Sequence, residues 1–198
     1  MHKGRVEAFS DGFLAIIITV MVLELHTPGG GDLAALAAAA PKLLLYLLSF
    51  VFLAIYWNNH HHMLQAAERV TGTALWANMH LLFWLSLIPF VTSWMGEHFG
   101  PLPVAAYGVV MLASGSAYFI LSRVLLGTHG PESLLARALR RDVKGVASLL
   151  IYLVAALAAV FKPALSCALY VVVALIWLVP DRRIETLLDS ETERRRTR

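Results

Sequence analysis

Five stretches of this 198-residue chain, at residues 43–67, 70–96, 99–122, 145–161 and 164–180, contain no charged side chain. Each approaches or exceeds the roughly 20 residues that an α-helix needs to cross a bilayer. A sixth, RVEAFSDGFLAIIITVMVLEL at residues 5–25, is equally apolar in its middle but keeps charges near both ends. The pattern predicts an all-α membrane protein with six transmembrane helices, at about residues 5–26, 41–67, 71–96, 101–124, 143–162 and 164–181. Composition agrees: 59% of residues are hydrophobic and 15% charged, a balance that a soluble domain of this length could not cover with polar surface. The first helix does not read as a signal peptide. No small-residue cleavage pattern follows it, and Glu24 stands where the apolar part of such a segment would end.

Orientation follows from the basic residues. Lys3 and Arg5 precede helix one, Arg69 lies between two and three, Arg137, Arg140, Arg141 and Lys144 lie between four and five, and Arg182, Arg183, Arg194, Arg195, Arg196 and Arg198 follow six. The opposite connections offer only Lys42 and Lys162. The positive-inside rule therefore puts both termini in the cytoplasm. The net charge of +3 reports topology and gives no reason to expect nucleic acid as a partner. Cys167 is the only cysteine, which excludes an intrachain disulfide. The connections HTPGGGD, GEHFGPLP, GTHGPE and Lys162-Pro163 are short and turn-rich, too short to fold separately. The alanine-rich stretch at 33–41 reads as a helical lead-in to helix two, with Pro41 marking a kink or a fresh start. One membrane domain over 1–185 is expected, followed by a basic cytoplasmic tail at 186–198. That tail reads as a solvated end or a contact for lipid headgroups. No internal repeat is evident, so a symmetric pathway would need several copies of the chain.

Helix one poses the sharper question. Between Asp11 and Glu24 lie twelve uncharged residues, about 18 Å of helix, well short of the hydrocarbon thickness. Its charged ends must dip into the membrane, where an ionisable group is expensive unless it faces protein or water. At about 100° per residue, Arg5, Gly12, Ile16, Thr19 and Leu23 share a stripe about 60° wide, and Asp11 lies about 120° from its centre. A stripe so apolar suits either tight helix packing or a narrow hydrophobic constriction, and on geometry alone packing is favoured. Depth supplies a separate clue about Asp11. Helix two ends, and helix three begins, at the same height as the start of helix one. Ser10, Asp11, Trp57, Asn58, His60, His61, Asn78 and His80 thus form the pool from which a polar interhelical network would be drawn. The run at His60, His61 and His62 could also suggest metal. Consecutive histidines on a helix point about 100° apart, however, so no metal site is expected.

Arg5, Phe9, Ser10 and Asp11 in RVEAFSD, followed by GFLAIIITVMVLEL, resemble the RxxxFSD signature helix of the transmembrane protein 175 family, the lysosomal potassium channel and its prokaryotic relatives. The six helices, the histidines ending helix two and NMHLLFWLSLIPFVTSW in helix three support the resemblance. It implies a potassium-selective cation channel that lacks a TVGYG filter, with helix one lining a central pore. A chain with one six-helix repeat would assemble as a homotetramer, multi-pass in the plasma membrane of a prokaryote. No cofactor is implied, and potassium is the permeant ion. The family's pore-facing hydrophobic positions fall on Ile16, Val20 and Leu23, with Thr19 the neighbouring hydroxyl, and the FSD residues would form a packing and hydrogen-bond core. Glu24 would concentrate cations at the mouth if it faced the axis. Arg5 would pair with an acid such as Glu7 of a neighbouring copy or join the FSD network. Two other readings remain open: a proton-coupled secondary transporter using Asp11, Glu24 and the histidines as a relay, and a channel that itself passes protons. An enzyme is disfavoured, because Ser10 and Asp11 are adjacent on one helix and do not converge as a catalytic triad needs.

Overall fold

The computed structural model describes residues 3–129, 133, 136 and 143–178. Its helices are α1 (Lys3–Leu23), α2 (Leu33–Ala66), α3 (Gly72–Ser86), α4 (Ile88–Glu97), α5 (Pro101–His129), α6 (Val143–Ala158) and α7 (Pro163–Leu178). Because α3 and α4 continue one another across Leu87, they make six apolar rods. Four of these, α1, α2, α3–α4 and α5, are long and apolar enough to cross a membrane, while α6 and α7 are shorter. Arg137, Arg140, Arg141, Arg182, Arg183 and the tail at 186–198 lie outside the described residues.

Several boundaries differ from the sequence expectation for local reasons. Helix two starts at Leu33 and runs unbroken through Pro41. The Asp32 carboxylate caps it by accepting from the Ala35 N–H at 2.8 Å, and the alanine run after the cap favours helix strongly enough to carry past one proline. The third span is divided at Leu87, because Pro89 has no N–H and its ring crowds the carbonyl four residues back. The Leu87 N–H turns instead to the Trp84 carbonyl at 3.2 Å. Helix α5 extends to His129, past the expected end at 124. There Thr128 Oγ1 and the His129 ring bond back to the Val124 and Leu125 carbonyls at 2.9 and 2.8 Å. Helix α6 stops at Ala158 in a tight turn, and Pro163, suited to a first helical position, starts α7. Helix α1 ends at Leu23, so Glu24 stands in the turn beyond it.

Helix α5 is the hub, packed against α3, α4, α6 and α7, while α1 leans on α2, α3 and α4 at the margin. The core between α5, α6 and α7 is built on Tyr107, Tyr152 and Tyr170. Tyr170 donates its hydroxyl to the Val104 carbonyl at 2.9 Å. Gly108 permits this close approach, since a Cβ there would stand 3.0 Å from Ala156 Cβ and against the Tyr170 ring. Successive rods alternate in direction. One end of the bundle therefore gathers the start of α1, the end of α2, the start of α3, the end of α5 and the start of α6; it carries Lys3, Arg5, Arg69 and Lys144 and is called the basic end.

Candidate functional site

The faces of α1 are unequal. Val6, Ser10, Leu14, Ile17 and Met21 are buried within the chain. Their mean direction is about 150° around the helix from the stripe of Arg5, Gly12, Ile16, Thr19 and Leu23. That stripe is open: Leu23 is 74% and Ile16 63% exposed, and Thr19, Gly12 and Arg5 are exposed as well, with Val20 beside the stripe 44% exposed. Thr19 donates its hydroxyl hydrogen to the Ala15 carbonyl at 2.9 Å, which leaves its oxygen lone pairs directed away from the helix backbone.

The buried face is held at the basic end by hydrogen bonds between helices. Ser10 and Asn78 are almost fully buried, and the Asn78 amide donates to Ser10 Oγ at 3.0 Å. The Asn78 carbonyl oxygen can only accept, so the contact at 2.7 Å fixes His60 as the tautomer protonated at Nε2. One chain of bonds thereby ties α1 to α3 and α3 to α2. Beside it, the Trp57 indole N–H donates to Asp11 Oδ1 at 2.9 Å, and the His61 ring stacks on Trp57 with centroids 5.7 Å apart.

Not every member of the sequence-derived pool joins. Asn58 is exposed and has no hydrogen bond to a described residue. It is Asn59, one position on, that turns inward, donating to the Ile55 carbonyl at 2.8 Å. His80 faces outward on α3 and accepts from the Trp84 indole at 3.0 Å. Phe9 is 53% exposed and stacks on Phe13, apart from the polar cluster. Arg5 has no ion pair with any described residue. Glu7 is turned inward, with Oε1 buried and unbonded.

Three further polar groups escaped sequence reasoning. Lys3 reaches the end of α2, donating to the Leu64, Gln65 and Ala67 carbonyls at 3.4, 3.0 and 3.1 Å, where carbonyls without helical partners favour a cation. His129 Nε2 accepts from the Glu68 and Arg69 N–H groups at 2.9 and 3.2 Å, clasping the α2–α3 turn. Deeper in the bundle, Ser49 bonds both Thr92 Oγ1 at 2.7 Å and the Tyr107 hydroxyl at 3.1 Å, tying α2 to α4 and α5. At the far end Ser93 donates to Glu24 Oε2 at 3.3 Å, drawing that carboxylate toward α4. Lys42 and Glu97 form an exposed ion pair there at 3.8 Å. Among the described residues, no group of histidines, cysteines or acids could hold a metal ion.

The model of the family described as endosomal/lysosomal potassium channel TMEM175 matches residues 5–89, from the motif arginine to the proline that breaks the third span. A potassium channel of Chryseobacterium sp. (strain P1-3) is 49% identical over 189 residues, covering 95% of this chain and 98% of that one. The chain belongs to the TMEM175 family. A potassium channel of Streptomyces collinus (strain DSM 40733 / Tue 365) is 34% identical over 126 residues, covering 59% of this chain and 61% of that protein. The crystal structure of a lysosomal potassium-selective channel TMEM175 homolog from Chamaesiphon minutus superposes with a TM-score of 0.76 at 26% identity, covering 89% of this chain and 96% of that one. The TMEM175 match thus spans α1, which carries both the polar anchor and the open stripe.

Proposed function

We propose that four copies of this chain form a potassium-selective channel in the plasma membrane of a prokaryote, with the open stripe of α1 lining a central pore. The observation that carries this reading is the division of α1. One face is fixed to the chain's own helices by packing and by the Ser10–Asn78–His60 bonds, and the opposite face is left uncovered. The relatives described as potassium channels support the choice of ion. Residues 1–185 act as one channel domain, and both termini, with the basic tail at 186–198, are cytoplasmic.

In the assembled channel, rings of Ile16, Val20 or Thr19, and Leu23 surround the axis and make the passage narrow and mostly apolar. An ion sheds part of its hydration to pass. Potassium holds water less tightly than sodium, so incomplete replacement costs it less, and the Thr19 oxygens supply part of that replacement. No TVGYG sequence occurs in the chain, so selectivity rests on these side chains. Glu24, tethered to Ser93, adds negative charge near the outer mouth. Arg5, open and without an ion pair to any described residue, meets an acid of a neighbouring copy or the inner vestibule.

The test is chemical modification during potassium efflux from liposomes. In a Cys167→Ala background, Ile16→Cys and Leu23→Cys are expected to lose most flux when a charged thiol reagent is added. Leu157→Cys, exposed on the outer helix α6, is expected to keep it. Equal insensitivity of all three variants would remove α1 from the pore.

A further inference from the structure

A cavity separate from α1 lies between α2, α5, α6 and α7. Its volume is about 50 Å³, it is partly open to the surroundings, and it is walled by Phe52, Ile55, Phe119, Leu149 and Tyr152, so its chemistry is apolar and aromatic. Gly115 keeps it clear: a Cβ there would stand 2.9 Å from Leu149 Cδ2 and 3.6 Å from the Tyr56 hydroxyl. Tyr152 is 3% exposed. Trp177 also lines the space, its indole held on Ser148 Oγ at 2.8 Å.

Its lining reaches the basic end at Asn59 and Gly145. There Arg123 is exposed, with its guanidinium carbon 4.7 Å above the Phe119 ring that walls the cavity. It is the only arginine or lysine in α5 and has no ion pair with a described residue. Lys144, in the first turn of α6, stands next to Gly145, another lining residue. A cation set against a membrane-embedded apolar cavity matches a molecule with an aliphatic chain and an anionic head. The planar guanidinium fits a phosphate diester in particular.

We propose that this cavity takes part of one acyl chain of an anionic phospholipid, with the phosphate of that lipid on Arg123. The site lies outside the proposed pore, so occupancy can be read without reference to current and holds whichever ion the channel passes. Native mass spectrometry of the detergent-purified full-length protein, titrated with phosphatidylglycerol or phosphatidylcholine, tests it. Wild type is expected to retain phosphatidylglycerol about five-fold more tightly, in line with one arginine at an anionic headgroup. Arg123→Gln abolishes the preference, and Arg123→Lys keeps most of it. Leu149→Trp, which fills the cavity with an indole, also abolishes it while thermal unfolding stays cooperative. Equal retention of the two lipids by wild type overturns the proposal. So does a preference that survives either Arg123→Gln or Leu149→Trp.

Discussion

On one side of α1, Leu14 and Met21 are 1% and 2% exposed under the chain's own helices; on the other, Leu23 and Ile16 are open. Both sides are apolar, so hydropathy alone does not separate them. What separates them is polar chemistry. The buried side carries Ser10, satisfied by Asn78 on another helix, whereas the open side carries Thr19, satisfied within α1 by Ala15. Leucine against lipid loses nothing, because acyl chains are as apolar as leucine itself. A hydroxyl bonded within its own helix can face lipid, protein or a pore at little cost. A hydroxyl bonded across helices fixes where the helix sits. The comparison assigns stability to one side of α1 and leaves the other available for function.

That division can be broken most directly with paired leucine truncations. Leu14→Ala is expected to cost about 2–5 kcal/mol, the range for a leucine removed from a packed core, and to lower the thermal midpoint of the purified protein clearly. Leu23→Ala is expected to move that midpoint little, since its side chain is mostly exposed, yet to change conduction. Reversed outcomes would dissolve the distinction. Asn78→Leu comes next. It leaves His60 and Ser10 without their shared partner inside the bundle and should cost about 1–2 kcal/mol by the same assay. Trp57→Phe removes one bond to Asp11 at a more exposed position, with a loss of under about 1 kcal/mol. Glu97→Gln, which breaks an ion pair about half exposed on both sides, should fall within about 0.5 kcal/mol.

The sequence carried the six apolar rods, the two ends of the bundle and the opposition of Asp11 to the stripe, because charge-free length, helical angle and depth are all legible in one dimension. Depth also gathered Ser10, Asp11, Trp57, His60 and Asn78 into one pool. It did not resolve which pool members meet. Asn58 and Asn59 differ by one helical step of about 100°, and only knowledge of how α2 is rotated against α5 selects Asn59. The Ser49–Thr92–Tyr107 cluster was missed because serines and threonines inside apolar runs usually bond back to their own helix, and sequence gives no sign when one reaches across. Lys3 was read as a topology signal, which left unseen its reach to carbonyls at the end of α2. Pro41 and Pro89 show the same limit from the backbone side: both are prolines within apolar runs, yet one is absorbed by a capped, alanine-rich helix and the other divides its span.

The most direct test of the proposed pore is the reversal potential of purified protein in a planar bilayer, with potassium on one side and sodium on the other, for wild type and Leu23→Ala. The account predicts a reversal displaced toward the potassium equilibrium potential in wild type, and a larger or less selective current in the mutant at nearly unchanged thermal stability. A wild-type current that does not distinguish the two ions, or one that Leu23→Ala leaves unaltered in size and selectivity, would contradict it.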